Sequence, residues 1–271
     1  MGLILLLAVL IVAGLWWWQS GLFRFWEHPL RPAAPVALPR VDIAPSPASE
    51  PPPAPEATVE FPMPELPPEV AQKPLPPIDR SDAAVLEALE DSHVADALPG
   101  FLNMQDYVRR LVVTVDNLPR ETVPTQMSMV QRIPGPLNVR REGEAIFLDP
   151  GNSSRYGPFI SMVEALPPRT LAQVYLRFYP LLDKAYKELG YPKARFHDRV
   201  VVAIDDMLAA PSPAGPIELV QPQVLYRFAD PRLQRLSAGQ KIMVRVGPAN
   251  AERLKRVLRR LRRELLGQTV G

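Results

Sequence analysis

Seventeen of the thirty-four prolines in this 271-residue chain fall between Pro29 and Pro77, and that crowding decides which part of the chain can fold. Proline fixes φ and carries no amide donor. Runs such as Pro51-Pro52-Pro53-Ala54-Pro55 and Pro62-Met63-Pro64 therefore join neither a helix interior nor a central strand, and favour an extended polyproline II form. At about 3.1 Å per residue, the roughly fifty residues reach up to about 150 Å. The acids Asp42, Glu50, Glu56, Glu60, Glu65 and Glu69 outnumber the bases of this stretch and keep it solvated. Pro-x-x-Pro spacings such as Pro32 to Pro35 arise by accident at such proline content, so a plain tether is the simpler reading. Residues 27–77 are read as a proline-rich disordered linker.

Ahead of the linker, every residue from Gly2 to Trp18 is apolar or glycine, and the first charged side chain is Arg24. At about 1.5 Å per residue this run is long enough for a hydrocarbon core roughly 30 Å thick. A cleaved secretory signal would carry a positive n-region and a small-x-small cleavage site, and neither is present. Residues 1–26 are therefore expected to form a single transmembrane anchor. Trp16, Trp17, Trp18 and Trp26 would sit at the membrane interface, where indoles concentrate. A literal positive-inside count of Arg24, Arg31 and Arg40 places the rest of the chain in the cytoplasm. A long stiff spacer argues the other way, because an anchored domain that must reach across a cell wall needs one. The expectation is a single-pass inner-membrane protein with a periplasmic domain. The lack of cysteine excludes disulfide and thiol chemistry and fits either side.

Residues 78–266 can bury a core, and a short tail, 267–271, follows. Their apolar periodicity is mainly α, a multi-helix domain with one short β-hairpin. Ser81 is expected to cap a helix through Asp91, and Asn103 a second helix with Asp106 in its first turn and Pro119 after its end. Asn138-Val139-Arg140 and Ala145-Ile146-Phe147 flank Glu142-Gly143-Glu144 and read as the hairpin. Helical faces follow at Phe159 to Leu166, Leu171 to Leu189 with a kink at Pro180, and Phe196 to Leu208. Asp230-Pro231 and Ser237 are helix starts, the second reaching Val246. Gly247-Pro248 then breaks the chain before a last helix from Asn250 to Leu266.

The strings TVDNLPR (114–120), IFLDPGNSSRY (146–156), YPLLDKAYKELGYP (179–192) and FADPRLQRLSAGQKIMVRVGPANAERLK (228–255) resemble a bacterial domain-of-unknown-function family, the one numbered 3014. The resemblance covers nearly all of the globular part. It implies the same order of one N-terminal span, a proline-rich spacer and this domain, with no assigned activity.

Catalytic signals are thin. His28, His93 and His197 are the only histidines, and no Gly-x-Ser-x-Gly, His-Glu-x-x-His or phosphate loop accompanies them. His197, Asp198, Asp205 and Asp206 are the best acid/base or metal candidates, since Asp198 and Asp205 share a helical face. Solvating or capping a helix whose other face holds Val201, Ile204 and Leu208 is the simpler account, since a lone face of carboxylates is common on exposed helices. Ser237-Ala238-Gly239-Gln240-Lys241 lacks the first glycine and the Lys-Ser/Thr pair of a P-loop and reads as a helix start. No catalytic residue, cofactor or metal ligand is assigned.

The clearest electrostatic feature is the last helix. Arg253, Lys255, Arg256, Arg259, Arg260, Arg262 and Arg263 face only Glu252 and Glu264, in a chain whose net charge is +2. Such a helix can lie on anionic lipid, grip phosphates or dock an acidic partner. Its apolar stripe and the macrodipole also explain it without any ligand. The reading that follows is a membrane-tethered, non-catalytic interaction or scaffold module of the cell envelope. Its partner would be an envelope protein, a wall component or a second copy of itself. Nucleic acid is disfavoured because no aromatics interleave with the bases. The alternatives are an envelope hydrolase using scattered acids, and a cytoplasmic-side lipid or nucleic-acid binder working through the last helix.

Overall fold

The computed structural model describes residues 60–65, 74–90, 100–131, 135–223 and 225–268. The anchor expected at 1–26, with Trp16, Trp17, Trp18 and Trp26, lies outside them, as do His28, His93 and most of the linker. Among the described residues no helix is long and apolar enough to cross a membrane. These residues form eight α-helices and a four-stranded antiparallel sheet. The chain is thus mainly helical as its periodicity predicts, with more sheet than one hairpin.

Helix α1 (Asp82–Glu90) follows a 3-10 turn at Ile78–Arg80, and the hydroxyl of Ser81 donates to the Ile78 carbonyl at 2.7 Å. Helix α2 (Tyr107–Asn117) starts differently from the sequence expectation. Asp106 stands before its first residue at φ 52°, a left-handed conformation that aspartate tolerates better than most residues. The exposed amides there are met from a distance, since Asp82 accepts from the N–H of Asp106 at 2.9 Å and of Tyr107 at 3.0 Å. Asn103 is not the cap. Its side-chain amide donates to the carbonyls of Ser128 and Val130, tying down the strand-like bridge between Leu102 and Val130.

The hairpin pairs β1 (Val139–Glu142) with β2 (Ala145–Leu148), Glu142 opposite Ala145. Its two-residue loop begins with Gly143 at φ 60°, where a side chain would be strained and glycine is not. β2 continues onto β3 (Glu218–Val220), and β3 onto β4 (Arg227–Phe228). Register places Ile146, Leu219 and Phe228 side by side. With Leu137 and Val244 they make a small second core under the sheet.

The main core is helical. Helix α3 (Asn152–Glu164) follows the hairpin, beginning seven residues before the apolar face that announces it. The 21-residue α4 (Pro168–Glu188) runs unbroken past Pro180, about 32 Å long, and buries Leu171, Val174, Tyr175, Phe178, Leu182 and Tyr186. It packs against α2, α5 (Phe196–Leu208) and the last helix of the chain. The short α6 (Pro231–Gln234) is capped by Asp230, and α7 (Ala238–Arg245) by the Ser237 hydroxyl, each accepting a backbone N–H as predicted. Gly247, at φ 85°, turns the chain into α8 (Pro248–Leu265), so proline opens this helix instead of preceding it. Helix α8 lies across α3, α4, α5 and α7.

Candidate functional site

Helix α8 divides its basic residues into two groups. Leu254, Val257, Leu258, Leu261 and Leu265 form a stripe that is at most 5% exposed, so the apolar face of this amphipathic helix is spent on the protein's own core. Residues beside that stripe meet neighbouring helices. Arg253 donates to Glu164 of α3 through Nε (3.0 Å) and Nη2 (2.6 Å), and to Ser161 at 2.9 Å. These bonds hold the Glu164 carboxyl below the usual carboxylate range despite its partial burial, with Arg256 and Arg260 adding to the effect. Lys255 is buried and donates to the Ala210 carbonyl at 2.8 Å. Arg262 makes a two-toothed contact with Asp205 of α5, at 2.6 and 2.9 Å.

What remains faces outward, Arg263 only in part. At about 100° per residue, Arg256, Arg259 and Arg263 lie on one ridge opposite the leucine stripe, with Arg260 on its flank. Arg256 reaches Glu164 only at 3.6 Å and is 55% exposed. Among the described residues Arg259, Arg260 and Arg263 form no ion pair, and Arg259 and Arg260 are exposed. Three of the seven predicted interaction residues, Arg253, Lys255 and Arg262, are therefore fasteners, and four make a cationic surface.

The histidine and acids that looked most like chemistry are committed elsewhere. His197, in the first turn of α5, is fully buried. Its Nε2 lies 3.0 Å from the Pro62 carbonyl, which can only accept, so this nitrogen carries the proton. Nδ1, 3.2 Å from the Tyr175 hydroxyl, is then the acceptor of the neutral ring. Burial pushes the His197 pKa down, and the charge of Arg195 acts in the same direction. Asp198 accepts from the Phe61 N–H at 2.9 Å, and Arg195 donates to the Glu60 carboxylate at 2.6 Å and the Phe61 carbonyl at 3.2 Å. Residues Glu60–Glu65, which composition assigns to the linker, thus lie against the domain.

Asp205 is held by Arg262, and Asp206 accepts from Ser237 (2.6 Å) and Gln240 (3.0 Å). Burial raises the Asp206 pKa, partly offset by the Ser237 bond. The four candidates share α5 but converge on no common space. A pocket of about 400 Å³ lies by β3 and α6, lined by Pro213, Pro216, Glu218 and Asp230, and contains none of them. Among the described residues no group of three or more His, Asp or Glu is placed to hold a metal ion. The Ser237–Lys241 segment is the helix start it resembles, with Lys241 buried and donating to the Glu121 carbonyl.

One buried ionic network escaped the sequence. Asp116, 3% exposed, accepts from Arg120 Nη2 at 3.1 Å and from the Tyr191 hydroxyl at 3.3 Å. Its carbonyl accepts from Arg199, whose Nε sits 3.0 Å from the carboxylate as an ion pair without hydrogen-bond alignment. The network ties α2, α5 and the turn after α4 together. The Asp116–Arg120 spacing is an (i, i+4) signal, but its two long-range partners leave no local trace.

No curated protein and no solved structure matches the chain. A family model does, over residues 107–262, which spans α2 to most of α8 and so takes in the Asp116 network and, of the arginine ridge, Arg256, Arg259 and Arg260. The chain belongs to the family described as protein of unknown function (DUF3014).

Proposed function

We propose that this protein is a membrane-tethered, non-catalytic interaction module of the cell envelope that docks an acidic partner on the outer ridge of α8. The observation that carries the reading is the division within α8: Arg256, Arg259, Arg260 and Arg263 stay outside, while their basic neighbours are bound into the fold. Of these cations only Arg256 reaches a carboxylate among the described residues; clustered cations repel one another, and an opposing anionic surface relieves that repulsion and steers encounter. Two alternatives lose support. Insertion of α8 into lipid needs its apolar face, which is already buried. Hydrolysis by scattered acids needs carboxylates gathered on one space, and Asp198, Asp205 and Asp206 each bond a different part of the chain, Phe61, Arg262 and Gln240.

Anchor and spacer supply the rest of the reading. The apolar segment 1–26 would hold the chain in the inner membrane. With Glu60 and Phe61 held by the domain, residues 27–59 would be the tether, and an extended proline-rich segment of that length would reach about 100 Å at about 3.1 Å per residue. Because the chain has no cysteine, Ser49→Cys provides a single reporter in that tether. Labelling of intact cells by a maleimide that cannot cross the inner membrane is the expected result. Protection in intact cells, with labelling restored after lysis, would put the ridge in the cytoplasm and contradict the envelope reading.

A further inference from the structure

We infer that Tyr175, Arg195, His197 and Asp198 form a recognition site for an extended acidic–aromatic–proline peptide of a partner protein, and that this chain's own Glu60–Pro64 fills it in cis. Three features of the contact carry the inference, and none involves the α8 ridge.

The first is completeness. Between Phe61 and Pro62 the backbone offers one donor and two acceptors, since proline has no N–H. Asp198 Oδ1 takes the donor at 2.9 Å, Arg195 serves the Phe61 carbonyl at 3.2 Å, and His197 Nε2 serves the Pro62 carbonyl at 3.0 Å. Reading backbone groups by fixed side chains is how extended peptides are bound, and a proline segment enters such a site having little conformational entropy left to lose. The second feature is preorganisation. His197 is held by the Tyr175 hydroxyl from behind, and the Tyr175 and Tyr179 rings lie 5.9 and 6.4 Å from the imidazole. Arg195 lies 3.8 Å from Asp198, so its charge is oriented before Glu60 arrives.

The third is that the cis segment does not saturate the site. Asp198 is 5% exposed, and among the described residues its Oδ2 is buried without a hydrogen-bond partner. A buried carboxylate oxygen left unpaired is costly, and a ligand with one more donor removes that cost. Only eight residues separate Glu65 from Pro74, so covalent attachment keeps the cis segment at an effective concentration on the order of millimolar. A partner peptide must outcompete it, and the spare acceptor is where it gains the advantage.

The test uses the full chain in detergent micelles and a fluorescent peptide with the sequence of Thr58–Leu66. In one protein the cis segment is disabled by Glu60→Ser, Phe61→Gly, Pro62→Ser and Pro64→Gly. Saturable binding to this protein is expected, at least tenfold weaker to the unaltered chain, and at least tenfold weaker again when Asp198→Ala is added to the disabled one. No saturable binding by a disabled protein with a native circular dichroism spectrum would overturn the inference. So would binding indifferent to Asp198→Ala. A second measurement leaves Glu60–Met63 intact: Pro64→Cys, at a half-buried position of the otherwise unaltered chain, carries an environment-sensitive dye. Millimolar unlabelled peptide should shift the dye to its solvent-exposed signal, and an unchanged signal would overturn the inference. The ridge residues are untouched in every variant, so failure here leaves the α8 reading standing, and failure of the ridge leaves this site standing.

Discussion

Arg262 grips Asp205 with Nε and Nη2 at 2.6 and 2.9 Å, so one of the most basic positions in the sequence works as a fastener between α8 and α5. Both side chains are partly exposed, 30% and 41%, and solvent screening keeps the pair modest. Arg262→Ala is expected to lower the unfolding free energy by about 0.5–1 kcal/mol. Arg259→Gln, on the outer ridge, should stay within about 0.5 kcal/mol of the parent. Urea unfolding of the two variants checks the division, and equal losses would erase it.

Asp116 is the opposite case. It is almost wholly buried, and Arg199 and Arg120 both aim at it. Asp116→Ala removes the shared anion and leaves Arg199, 17% exposed, without its ion-pair partner. Breaking a buried pair from one side costs about 3–5 kcal/mol. The expected result is a large drop in the urea midpoint with the ridge untouched.

His197 gives the fold a defined acid sensitivity. Burial, with the charge of Arg195, depresses its pKa, while the Pro62 bond and Asp198 oppose that shift only in part. A histidine whose folded pKa lies below its unfolded value of about 6.5 contributes stability that is full above that pH. The contribution is lost as pH falls through the folded value. The unaltered chain should therefore lose more stability between pH 7.5 and pH 5 than His197→Gln does, measured as urea midpoints in the same buffers. The remaining titratable neighbours, Asp183, Tyr179 and Glu60, are common to both proteins and cancel in the comparison.

Period and capping made much of this fold readable. The leucine stripe of α8, the α4 face from Leu171 to Tyr186, and the caps at Asp230 and Ser237 are local patterns, and local patterns survive in sequence. Strands β3 and β4 were not readable, because three and two residues are too short to show alternation. The cap of α2 was misplaced for a related reason. Asn103 has the right chemistry, but the helix begins at Tyr107, past the position Asn103 could cap, and Asp82, 24 residues before Asp106, supplies the carboxylate. The seven basic residues of the last helix were visible as a set, yet their sorting into fasteners and ridge depends on Glu164, Ala210 and Asp205 from other elements. Proline content points to a linker over 27–77 and gives no sign that Glu60, Phe61 and Pro62, within that stretch, meet Arg195, His197 and Asp198.

The central claim is that the outer ridge of α8 is a docking surface for an acidic partner. Its most direct test is the binding of the full chain, in detergent micelles, to poly-L-glutamate, to vesicles containing phosphatidylglycerol, and to duplex DNA across a salt series. The account predicts binding to the acidic polypeptide that weakens with salt and falls at least tenfold in the Arg259→Gln, Arg260→Gln, Arg263→Gln protein. Thermal stability should be unchanged in that protein. Binding confined to vesicles or DNA, or polypeptide binding that survives loss of the three arginines, would contradict it.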